Sequence, residues 1–118
     1  MSAFRILGLA RRAGGVVFGT DAVRDAVRRG AVVLVLLARD GAPGQVGKLE
    51  RLLSHGSTPL RRTGTRAELG AALGTPPVTA VGVTHEGLAT RLLEELDAEA
   101  DPRAGEPRAT EDDATYAG

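Results

Sequence analysis

Few side chains in this 118-residue chain have the type and spacing for covalent chemistry. The two histidines, His55 and His85, have no second ligand at metal-binding spacing, and there is no cysteine. No glycine-rich loop leads into a lysine, and no serine stands in a strand-to-helix elbow. Catalysis, a metal and a cofactor are therefore not expected. What the chain has in quantity is arginine. From Met1 to Arg66, twelve cations face only Asp21, Asp25, Asp40 and Glu50, a surplus of eight that the remainder cancels to zero net charge. The later acids gather at Glu94, Glu95, Asp97, Glu99 and Asp101, and again at Glu106, Glu111, Asp112 and Asp113. A basic body followed by an acidic tail is the charge pattern of a polyanion binder. A solvated, arginine-rich surface gives the same count.

Gly19-Thr20-Asp21 opens the second predicted helix, with Arg24, Arg28 and Arg29 behind it. A helix beginning at Thr20 would present free N–H groups and a partial positive charge to phosphate or base acceptors. Arginines beside it neutralise phosphates and reach guanine edges. The same residues also support a purely structural account. Thr20 can cap the helix, and Asp21 suits the helix dipole. Asp21 with Arg24, and Asp25 with Arg28 or Arg29, stand at ion-pair spacing worth a few tenths of a kcal/mol. Likewise Arg11 and Arg12 can be a solvated helix face, Arg61 and Arg62 can shield a sheet edge, and His55 can sit favourably at a helix C-terminus.

The elements that must position these residues follow from periodicity and glycine punctuation. Ser2 caps a first helix whose apolar face is Phe4, Ile6, Leu7, Leu9, Ala10 and Ala13, closed by Gly14-Gly15. Residues 16–18 predict a short strand, and 20–29 a helix stopped by Gly30. The unbroken apolar run Ala31 to Ala38 predicts a strand covered on both faces. A helix over 43–55 follows, then an edge strand over 58–62, where Pro59 cannot donate to a central ladder. Thr65 and Glu68 form a capping box for a helix ending at Gly74. Residues 78–83 predict the last strand and 87–96 the last helix. This alternation implies an α/β fold, a three-layer α/β/α sandwich around a small buried sheet.

One domain, 1–97, is expected, with 98–118 as a disordered acidic tail too poor in apolar groups to fold. Such a tail would compete with a polyanion for the basic body. No apolar stretch is long enough for a membrane span, and the lack of cysteine suits a reducing, cytoplasmic compartment. A monomer is expected.

Several blocks resemble a known family. Ile6 to Gly14 is similar to the opening helix of the bacterial YlxQ-like proteins, within the superfamily of kink-turn-binding ribosomal proteins and Pelota-type RNA-binding domains. Gly19 to Gly30 has the length and frame of that family's signature helix. Leu36 to Asp40, Glu68 to Gly74 and Val81 to Ala89 continue the likeness in order, so that it covers roughly residues 3–96. The resemblance implies a mixed four-stranded sheet between helices and an RNA site at one end. It also implies a partner, structured RNA of kinked or bulged form, ribosomal RNA included. Carried onto this chain, the site comprises Gly19, Thr20, Asp21, Arg24, Arg28, Arg29 and Arg39, with Val78, Thr79 and Ala80 as the apolar loop before the last strand. The chain departs from the pattern where strong kink-turn binders carry Asn-Glu and, three residues on, lysine. Asp21, Ala22 and Asp25 stand there. Asp21 only accepts hydrogen bonds, Ala22 offers none, and Asp25 inverts a charge. A protein-interaction module that kept the fold without the RNA site is the alternative these three residues favour.

Overall fold

A computed structural model describes residues 2–100. The elements run α1 (Ala3–Arg12), β1 (Val16–Phe18), α2 (Thr20–Arg28), β2 (Leu34–Leu37), α3 (Pro43–Leu53), β3 (Leu60–Arg62), α4 (Arg66–Leu73), β4 (Ala80–Val83) and α5 (Glu86–Ala100). The four strands form one sheet in the order β1-β4-β2-β3. β4 runs antiparallel to both β1 and β2, and β2 runs parallel to β3, so the sheet is mixed.

Alternation along the two central strands creates the layers. Leu34 and Leu36 of β2, with Val81 and Val83 of β4, face a core with Ile6, Leu7, Leu69 and Leu92 of α1, α4 and α5. Val35, Leu37 and Ala80 face the opposite core with Val23, Ala26, Val46 and Leu49 of α2 and α3. The result is the expected α/β/α sandwich, with three helices on one face and two on the other.

The boundaries differ from expectation where tertiary pairing decides them. The run from Ala31 yields a strand only from Leu34, because Val83 is the last residue of β4 that β2 can pair with. The Val33 N–H still reaches the Val83 carbonyl, but the Thr84 N–H has already turned to the Gly15 carbonyl. β3 begins at Leu60, although the Pro59 carbonyl accepts from the Val35 N–H at 3.0 Å. Val78 and Thr79 belong to the loop before β4 rather than to the strand. The helix-end position expected for His55 is taken by Ser54, whose hydroxyl donates to the Arg51 carbonyl at 2.7 Å.

The last helix is longer than its apolar pattern, running on to Ala100. Its end is tied down because Glu99 accepts from the Ala3 N–H at 3.2 Å, the start of α1. Residues 98–100 are therefore helical and not part of a tail. The remainder of the segment expected to be disordered lies outside the described residues.

Candidate nucleic-acid interface

One end of the sheet gathers three chain segments. The Gly19 N–H donates to the Ala80 carbonyl at 2.9 Å, joining the start of α2 to the start of β4. From the other side, the Ala38 N–H donates to the Thr79 carbonyl, also at 2.9 Å. The loop before β4 is thus pinned between the end of β2 and the β1–α2 turn. Two further contacts fix it from beneath. The Val78 N–H donates to the Arg66 carbonyl, and the Arg66 N–H donates to the Asp40 carboxylate at 2.7 Å. That backbone hydrogen bond, reinforced by the Arg66 guanidinium, holds the Asp40 carboxyl below the usual aspartate range.

Glycines make this close packing possible. A Cβ at Gly70 of α4 would land on the Pro76 carbonyl, so only glycine lets the 75–79 loop lie across that helix. A Cβ at Gly41 would come within 2.7 Å of the Thr79 methyl. Gly19 is different. Its φ of 95° lies in a region that side chains avoid, and nothing stands within 4 Å of a Cβ built there. The backbone at this turn is open to whatever approaches.

The start of α2 corrects the expected role of Thr20. Gly19, not Thr20, is the cap residue, and no side chain caps the helix. Thr20 lies inside the first turn, and its hydroxyl donates to Gln45 Oε1 in a long, weak contact at 3.5 Å. Gln45 belongs to the first turn of α3, whose cap position is Ala42 and is likewise without a side-chain hydrogen bond. Two helix N-termini with unused N–H groups therefore lie side by side.

The charged residues divide by position. Arg24 is half-buried beside the open turn and pairs with the fully exposed Asp21 at 3.6 Å. Asp25 pairs with Arg29 at 3.0 Å. Arg28 and Arg29 stand at the far end of α2, about 12 Å from Thr20 along the helix axis. They extend the surface without touching the turn. Arg39 is exposed just beyond β2, with its N–H on the Gly64 carbonyl and its carbonyl accepting from Arg62. Of the loop residues, Val78 is half-buried, Thr79 is buried, and the Ala80 side chain lies entirely in the α2–α3 core. Ala80 can serve a ligand only by positioning Gly19.

Sequence reasoning missed Gln45, Asp40 and Arg66. Pro43 at the start of α3 marked a helix beginning, but nothing local placed that beginning beside Thr20. The Asp40–Arg66 tie spans 26 residues and is visible only in three dimensions.

An α/β/α module with an open pair of helix starts at one sheet end has the form of an anion- or nucleic-acid-binding module. Residues 1–93 match the model of the Ribosomal protein L7Ae/L30e/S12e/Gadd45 family, and the chain belongs to that family. It is 35% identical over 97 residues to the RNA-binding protein YlxQ of Bacillus subtilis strain 168, covering 82% of this chain and 97% of that one. A solved structure of a protein of unknown function from Bacillus halodurans C matches with a TM-score of 0.78 at 32% identity, over 80% of this chain and 96% of its own. The Giardia lamblia 15.5kD RNA binding protein matches with a TM-score of 0.70 over 80% of this chain and 81% of its own. Its 21% identity makes that a likeness of fold. Among the described residues no helix is long and apolar enough to cross a membrane.

Proposed function

We propose that this protein is a cytoplasmic, monomeric RNA binder that docks on a kinked or bulged stem, ribosomal RNA included, without a catalytic step or cofactor. The observation that carries this reading is the pair of neighbouring helices, α2 and α3, that both begin without a side-chain cap. Exposed N–H groups at such a place suit phosphate oxygens or the acceptor edges of splayed bases. Gly19 lets an RNA backbone or base approach closely. Thr20 and Gln45 add side-chain donors and acceptors in the same place. Asp21 accepts from base amino groups or 2′-hydroxyls, while Arg24 beside it offsets its charge against nearby phosphates. Arg28, Arg29 and Arg39 carry the electrostatic attraction outward along the flanking strands. Val78 and Thr79 form the firm floor beneath, and Ala80 holds Gly19 in place. The relatives' RNA-binding descriptions support the same reading.

The departures at Asp21, Ala22 and Asp25 remove donors and add negative charge, so selectivity for a kinked stem rests on the helix ends and arginines. The Asp25–Arg29 pair, which ties up one of the arginines, favours the protein-interaction reading. Binding of a labelled kink-turn RNA and a straight duplex of equal length, over a salt series, separates the two. Wild type prefers the kinked RNA, and Arg24→Ala/Arg28→Ala flattens the salt dependence by up to about two phosphate contacts. Equal affinity for both RNAs would leave charge alone, and binding to neither would support the protein-interaction module.

A further inference from the structure

The opposite layer carries a feature that RNA binding at α2 does not use. Along α1, Arg5, Leu9 and Arg12 share one exposed face at helical spacing. Leu9 is the only large apolar side chain exposed among the described residues. Beside it α1 comes close to α4, where a Cβ at Gly8 would meet the Ala72 carbonyl at 3.2 Å. The groove between the two helices has a volume of about 280 Å³ and is lined by Phe4, Arg5, Gly8, Leu9, Arg12 and Ala72. Neither Arg5 nor Arg12 has an ion pair among the described residues. Glu68, which lines a hollow together with Arg5, is engaged in its own capping box. The groove is thus apolar in its floor and basic at its rim.

We propose that the chain's own acidic C-terminal segment, residues 101–118, docks in this groove, with Tyr116 against Leu9 and Phe4 and the Glu111-Asp112-Asp113 triplet facing Arg5 and Arg12. Five observations converge on this occupant. The last described residue, Ala100, follows Glu99, which accepts from the Ala3 N–H at the start of α1, so the segment begins from that point. Phe4 borders both the hollow at Ala100 and the α1–α4 groove, so the path is continuous. The sixteen residues from Ala100 to Tyr116 can span about 50 Å, several times the length of α1. In charge, the segment holds five acids against Arg103 and Arg108, with its only aromatic ring three residues beyond the acidic triplet. The segment also lies outside the residues matched to the family, 1–93, as an addition to the shared fold. Tethering supplies a local concentration of order mM, so a contact with a dissociation constant of about 0.1 mM would be about nine-tenths closed. Docked there, the acids sit on the layer away from α2 and do not compete for its basic face.

Tyr116 is the only tyrosine and there is no tryptophan, so intrinsic fluorescence reports this one residue. The test is acrylamide quenching of the full chain at low salt, compared with a peptide of residues 101–118. The expected result is quenching at least about threefold weaker in the full chain than in the peptide. Protection is lost in Arg5→Glu/Arg12→Glu and in Glu111→Lys/Asp112→Lys/Asp113→Lys, and returns when both sets are combined. The tail variant cannot unfold the body, which guards against a trivial loss. Equal quenching in chain and peptide would overturn the proposal. So would protection that survives both reversals, that grows with protein concentration, or that is lost on reversing Arg24 and Arg28 instead.

Discussion

The starts of α4 and α2 are built on opposite principles. At α4, Thr65 accepts from the Glu68 N–H, Glu68 accepts from the Thr65 N–H, and Asp40 takes the Arg66 N–H. Those donors are used up. At α2, Gly19 supplies no side chain, and α3 beside it also starts without a side-chain cap at Ala42, with Pro43 leaving the Gly44 and Gln45 N–H groups to donate. α1 is capped by Ser2, and the Leu88 N–H of α5 donates to the His85 ring. Omitting a capping side chain costs about 1 kcal/mol at an alanine such as Ala42 and only a few tenths at a glycine such as Gly19. It is omitted at the two helix starts that lie together, which is where the proposed RNA site falls. The α4 start, by contrast, serves the scaffold by anchoring the loop under the site.

The largest effect should come from the scaffold side. Gly70→Ala places a methyl on the Pro76 carbonyl, a backbone atom that cannot yield without moving the 75–79 loop. A loss of about 3 kcal/mol in denaturant unfolding is expected, with RNA binding weakened as well. Next comes the ligand side. Arg24→Ala/Arg28→Ala should lower RNA affinity about tenfold at low salt while changing stability by under about 0.5 kcal/mol. Such a split between stability and binding is what distinguishes the two regions.

The caps themselves sharpen the contrast. Thr65→Ala should cost about 1 kcal/mol and leave RNA affinity unchanged. Ala42→Asp should do the reverse, adding up to about 1 kcal/mol to thermal stability while weakening RNA binding, because the new carboxylate occupies the α3 donors and repels phosphate. If Ala42→Asp binds RNA as well as wild type, the α3 start is not part of the site.

The smallest effect concerns pH. Folding lowers the Asp40 pKa through the Arg66 N–H, and lowers that of Asp97 through its hydrogen bonds from Arg61. The unfolded chain therefore binds more protons in the acid range. The stabilisation is complete above the ordinary aspartate pKa and is lost as pH falls through the depressed values. Asp40→Asn should lower stability modestly at neutral pH and converge with wild type in acid, so that its acid limb is shallower when unfolding is followed across pH.

The layered fold and most of its elements were legible because glycines and capping residues mark them locally. Gly14, Gly30 and Gly74 stop helices, each with positive φ, and the Thr65–Glu68 box starts one. Strand lengths were not legible, because pairing decides them. Ala31 to Val33 reads as strand by composition but has no partner strand past Val83. The candidate site was half legible. Gly19, Thr20 and the α2 arginines are contiguous in sequence, and the family likeness singled them out. Their roles were not evident, since the cap at Gly19 depends on its φ and the Thr20–Gln45 proximity depends on the packing of α2 against α3. Ala80 was legible as strand core from the strand predicted over 78–83, whereas the loop position of Val78 and Thr79 was not.

RNA is proposed to dock at the open starts of α2 and α3. The most direct measurement is an amide NMR titration of the full chain with a kink-turn RNA at moderate salt. The account predicts the largest shifts at residues 19–22 and 44–46, with smaller ones at Val78 and Thr79 and none along Arg5 to Arg12. Shifts spread over arginine side chains at many faces, with the α2 and α3 starts unmoved, would contradict it.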